Sequence, residues 1–243
     1  MGHTFKIINI IVLFLSIGLG LEANAQIDHA SFTKILQKNV SEDGFVDYQN
    51  LKKEEQKLDT YLNLLEKNTP SPSWTRNEKM AYLINTYNAY TLKLILKNYP
   101  IESIKDIGGV LGSPFGEEFI PFNGEAISLD DVEKGMLLKM EEPRVHFAVN
   151  CASESCPKLN NSAFEAKNLD RQLNEATKAF INSKENEISM DKLKLSKIFK
   201  WYASDFEATA GSVIQFINPY TDKQISTDAD VSYKDYSWKL NGK

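Results

Sequence analysis

Apolar positions along the chain recur with two periods, and these set out the elements. Phe32, Ile35 and Leu36 share one face of a short helix, and Asp43-Gly44 ends that unit in a turn. Leu51, Leu58, Leu62 and Leu65 mark a second helix over 51–65, and Pro70, Pro72 and Ser73 a loop after it. The strongest pattern runs from Arg76 to Asn98. Met80, Leu83, Ile84, Tyr87, Thr91, Leu94 and Ile95 follow i, i+3, i+4, i+7 spacing and predict a buried stripe. Lys79, Tyr82, Thr86, Lys93 and Lys97 fall on the opposite side, expected to face solvent. A third stripe, about 120° round, holds Ala81, Asn85, Asn88, Leu92 and Leu96. Pro100 stops the helix.

A Gly-rich connection over 101–116 follows. Asn123-Gly124 between short apolar runs then predicts a hairpin of 118–122 with 125–128. Ser128-Leu-Asp-Asp131 resembles a helix-starting cap, with the helix running to about Met140. The β-rich run Arg144 to Asn150 reads as a central strand, and Leu169 to Ile181 as an amphipathic helix. Residues 187–190 and 193–195 can pair around Asp191-Lys192. Ser196 caps a short aromatic helix with Phe199, Trp201 and Tyr202, residues expected in the core or as the wall of a cleft. Ser212–Phe216 is a further short helix, and Val231 to Leu240 a last strand. The predicted class is α+β: a helix-rich single domain with a small, mostly antiparallel sheet that includes 144–150.

Charge and composition narrow the function classes. Twenty-eight Lys and Arg against 33 Asp and Glu leave a net charge of −5, and 42% of residues are hydrophobic. That is a folded-domain composition, and too acidic to suggest nucleic-acid binding. Residues 1–25 read as a secretory signal. Lys6 precedes an apolar run from Ile7 to Leu21, and Ala23-Asn24-Ala25 places cleavage before Gln26. The run is shorter than the roughly 20 residues a membrane span needs. The expected product is therefore 26–243, one globular domain, exported to a periplasmic or extracellular space and without a membrane span. It is expected to be a monomer that meets a small molecule or peptide.

Few residues carry chemistry. His29 lies in a stretch expected to be frayed and solvated. His146 sits inside the β-rich run and can act as a general base, or as a hydrogen-bonded core histidine. On a strand, His146 and Asn150 share a face about 13 Å apart. Cys151 would then begin on the other face, too far for a Cys–His pair unless the chain turns back after Asn150. Cys151 and Cys156 are candidates for a disulfide in an oxidising compartment, for a reactive thiol, or for unpaired structural thiols. The two cysteines and His146 lack a clear fourth ligand, so no metal is expected, and no cofactor is implied. Asn85 and Asn88 lie one turn apart on a half-buried stripe and must meet polar partners, either a ligand or a neighbouring loop. Glu133 is a candidate carboxylate partner for His146, or a surface residue.

Several stretches together resemble the domain-of-unknown-function family 547. They are Asn85-Thr-Tyr-Asn-Ala89, Tyr99-Pro100, Ser128-Leu-Asp-Asp-Val-Glu133, Arg144-Val-His-Phe-Ala-Val-Asn-Cys-Ala-Ser-Glu-Ser-Cys-Pro157, and Ser196-Lys-Ile-Phe-Lys-Trp-Tyr202 with Asp205-Phe206. The resemblance covers about 45–240. It implies a domain found secreted or alone in bacteria and behind a coiled coil in plants, with no established activity. Members often carry His, then Arg, after the glutamate matching Glu133; this chain has Lys134 and Leu138-Lys139 there.

Two function classes follow. In one, His146, Cys151 and Glu133 form a hydrolase or acyl-transfer site. A helix followed by a His-bearing strand is broadly similar to transglutaminase and papain-like proteins, although here Asn85 and Asn88 occupy the helix. In the other, His146, Asn85, Asn88, Asn150 and Glu133 line the pocket of a non-catalytic extracytoplasmic binding module.

Overall fold

The computed structural model describes residues 27–108 and 112–243. The predicted signal, 1–25, lies outside the described residues. Helix α1 (Ala30–Asn39) buries Phe32, Ile35 and Leu36. The leucines over 51–65 fall on two helices, α2 (Tyr48–Lys53) and α3 (Glu55–Lys67), and not on one. The break is at Glu54, whose carboxylate receives Lys38 and Lys57 at 2.6 and 2.8 Å.

Helix α4 (Arg76–Asn98) has the expected boundaries and starts on a reciprocal capping box between Thr75 and Glu78. Its expected solvent side is largely covered. Tyr82 and Thr86 are each 1% exposed. Tyr82 packs against Trp74 and Phe122 and donates its hydroxyl to the Leu65 carbonyl at 2.9 Å. Neighbouring elements enclose the middle of α4: the Tyr82 hydroxyl makes a cross-element bond, while the buried Thr86 hydroxyl has no partner among the described residues.

The hairpin forms as expected from β1 (Ile120–Phe122) and β2 (Glu125–Ile127), with Phe122 opposite Glu125. Asn123 and Gly124 take φ of 52° and 85°, the left-handed pair that a type I′ turn requires. Ser128 and Asp131 exchange hydrogen bonds at the next helical start. The helix itself is a wide π-helical segment, Asp131–Leu137, closed by a 3₁₀ turn at Leu138–Met140.

Residues 144–150 do not form a strand. Pro143–Phe147 is a 3₁₀ turn, so the sheet does not contain this segment. Pro143 fixes φ at the first position, the Glu142 side chain accepts from the Arg144 amide, and Val145 N–H donates to the Glu142 carbonyl at 3.0 Å. These local bonds override the β-branched composition. The turn also buries both sides of the segment: Val145 joins the main core around α4, and Phe147 joins a second cluster with Phe180, Phe199, Phe206 and Phe216.

Helix α5 (Leu169–Ile181) follows, then a second sheet of β3 (Glu187–Ile188), β4 (Lys192–Leu195) and β5 (Asp230–Tyr233). β3 and β4 are antiparallel, whereas β5 adds parallel to β4. Between them lie α6 (Ile198–Trp201), α7 (Ala203–Ala210) and α8 (Val213–Ile217). The last strand is shorter than 231–240. After Tyr233 the chain crosses the molecule, with Lys239 bridging to Ser103 and Leu240 to Ser153. The architecture is helix-rich α+β, with two small, mostly antiparallel sheets. No described helix is long and apolar enough to cross a membrane.

Candidate active site

The 3₁₀ turn at 143–147 presents His146 to α7. Its imidazole is 1% exposed, and its Nε2 is 2.8 Å from Oδ2 of Asp205. Tyr202 stacks on the ring at 3.9 Å between centroids, and Phe206 meets its edge at 5.5 Å. Burial pushes the imidazole below its usual pKa, with Asp205 opposing. A neutral ring beside a carboxylate carries its proton on Nε2, which leaves the Nδ1 lone pair as acceptor. Nδ1 has no hydrogen-bond partner among the described residues.

The chain then turns back sharply. In a 3₁₀ turn each residue advances about 2.0 Å, against about 3.3 Å in a strand, so the separation expected for an extended segment does not arise. Asn88 of α4 holds the turn: its Nδ2 donates to the Ala148 carbonyl, and its Oδ1 accepts from the Asn150 amide, both at 2.9 Å. Asn150 closes the following loop by donating to the Pro157 carbonyl at 2.8 Å and accepting from the Ala152 amide at 3.0 Å. Ala152, at φ 57°, takes the left-handed conformation that this closure demands.

The closed loop brings Cys151 and Cys156 together as two free thiols, sulfurs 2.7 Å apart; the expected disulfide is absent. Cys151 is half-buried, with Ser153 Oγ and Tyr236 Oη each 3.2 Å from its sulfur. Burial acts to raise its pKa, but hydrogen bonds from Cys156, Ser153 and Tyr236 outweigh burial and lower it. Cys156 is pushed well above the usual thiol range by burial and by its neighbour's charge. Of the two thiols, Cys151 is the one that gives up its proton more readily.

Glu133, 7% exposed on the π-helical segment, accepts from the Tyr202 hydroxyl at 2.7 Å. Burial raises its carboxyl, with Tyr202 and Tyr87 opposing. The carboxylate that holds His146 is thus Asp205 and not Glu133, which reaches the imidazole only through the stacked Tyr202. Glu133, His146 and Cys151 nevertheless line one cleft of about 230 Å³, walled by Trp201, Tyr202 and Trp238.

Asn85, Asn88 and Asn150 are not on the lining of that cleft; Asn150 lines a neighbouring cavity with Ser153, Cys156 and Asn241. Asn85 donates to the Phe164 carbonyl at 2.8 Å and accepts the Phe164 amide at 2.9 Å. Asn85 and Asn88 pair with backbone as helix-to-loop clamps, and Asn150 pairs with loop backbone and accepts from Asn241 Nδ2 at 3.2 Å. His29 is 6% exposed and not solvated, with Nδ1 2.7 Å from Tyr61 Oη. Asp205, Ser153 and Tyr236 carried no assigned role in the sequence reading. The available signal was an acid among aromatics, Tyr202-Ala-Ser-Asp205-Phe206.

These features define a helix-rich α+β protein in which a loop-borne thiol and a carboxylate-held imidazole share one cleft. Residues 71–181 match the model of a family described as protein of unknown function, DUF547. The match is narrower than 45–240. It includes Glu133, His146 and both cysteines, whereas Tyr202, Asp205 and Tyr236 lie beyond it. No curated protein and no solved structure matches the chain.

Proposed function

We propose that this is an exported, thiol-dependent hydrolase or acyl transferase with Cys151 as nucleophile. The observation that carries the reading is one cleft lined by the half-buried Cys151 thiol and by His146, whose Nε2 is held by Asp205. The Cys151 thiolate attacks the carbonyl carbon of an ester, thioester or amide. His146 Nδ1 takes the thiol proton and returns it to the leaving group, and water or a second acceptor then releases the acyl group. Asp205 is a positioning residue: it fixes the tautomer and orientation of the ring. Trp201, 47% exposed, and Trp238, at 6.1 Å between centroids, offer an aromatic wall for an apolar or flat part of the substrate.

The test is turnover of a p-nitrophenyl ester by the full chain. Cys151→Ser and His146→Gln should each lose roughly 10²-fold or more. Unchanged turnover in Cys151→Ser would overturn the reading, and no turnover by the wild-type chain would favour the alternative, a non-catalytic extracytoplasmic pocket.

A further inference from the structure

Acyl transfer needs one sulfur, but the cleft holds two. Cys156 is the more buried of the pair, and burial beside Cys151 pushes its thiol pKa up, so Cys151 is the first of the two to react. The Cys156 sulfur stands 2.7 Å from that of Cys151 and accepts the Cys151 amide proton at 2.9 Å. Four residues separate the two, and the Asn150–Pro157 bond closes the loop around them. This is the arrangement of an attacking and a resolving thiol: one half-exposed, the other buried within reach of it.

We infer that Cys151 and Cys156 are a dithiol that exchanges with low-molecular-weight disulfides, reversibly masking the nucleophile. The Cys151 thiolate attacks one sulfur of a disulfide such as glutathione disulfide. A mixed disulfide forms and one glutathione leaves as thiolate. Cys156 then attacks the Cys151 sulfur, its proton passes to the departing second thiolate, and the intramolecular disulfide closes. Two electrons and one proton pass from the pair to the small disulfide, which leaves as one thiolate and one thiol, the thiolate taking its proton from solvent. Masking rests on the acyl-transfer reading; the exchange chemistry does not.

The full chain is incubated with glutathione disulfide, quenched with acid and mapped by mass spectrometry, alongside ester turnover. Wild type should lose both thiols and retain no glutathione. Dithiothreitol should restore the thiols together with turnover that had fallen about tenfold or more. Cys156→Ser, which lacks the resolving thiol, should instead keep one glutathione on Cys151. Retention of both thiols, or a lasting adduct in wild type, overturns the exchange. Closure of the pair in a protein whose reduced form shows no turnover sinks acyl transfer and leaves the exchange standing.

Discussion

The two histidines among the described residues show how burial sets a single side chain's behaviour. His29 is lowered to about 4 by burial, with Asp28 and Glu165 opposing. A base with a depressed folded-state pKa is neutral in the fold, while the unfolded chain takes up its proton near pH 6.5. Stability is therefore whole above about pH 6.5 and falls as pH drops towards about 4. By pH 5 the loss from this group is about 2 kcal/mol. Urea denaturation at pH 7 and pH 5 checks it: His29→Gln should lose about 2 kcal/mol less than wild type between the two. Equal losses would show that His29 does not titrate this way. His146 is also lowered by burial, so an ester hydrolysis rate that needs its neutral form should extend onto the acid side of pH 6.5. A rate that fades at or above that pH would contradict a neutral imidazole in the fold.

Among the elements, α4 does more than fill the core, because it carries the clamp that sets the loop bearing Cys151. Removing the Asn88 amide leaves the Ala148 carbonyl and the Asn150 N–H buried without partners. Asn88→Ala should cost about 2 kcal/mol or more in urea denaturation and slow iodoacetamide labelling of Cys151. Wild-type stability in that variant would remove the clamp role. The helix was legible because its periodicity and terminating proline agree; the hairpin was legible because Asn-Gly supplies the left-handed pair directly. Residues 144–150 were not. Val145, Phe147 and Val149 alternate as a strand would, but Glu142 and Pro143 supply a local turn chemistry that wins. Glu133 and His146 could be named as reactive types from the sequence, yet their partners could not. Asp205 lies 59 residues from His146, and no periodicity reports a contact of that range.

Over the whole molecule, the site is assembled from separated parts of the chain. The crossing after β5 brings Tyr236 to the thiol, then lays Asn241 against Ala152 and Tyr48. Next to it, Gly242 leaves no room for a methyl, which would overlap the Val46 carbonyl oxygen. Gly242→Ala should therefore lower stability by about 1 kcal/mol or more and, by shifting the arm, slow Cys151 alkylation. A variant that folds and labels as wild type does would detach the arm from the site. Tyr236 follows Cys151 by 85 residues. On the ribosome, the cysteine is thus made well before the aspartate that steadies its imidazole and the phenol that tempers its sulfur. A nascent chain carries an ordinary thiol through the early part of its synthesis, and only a polypeptide extended past residue 236 acquires the armed one.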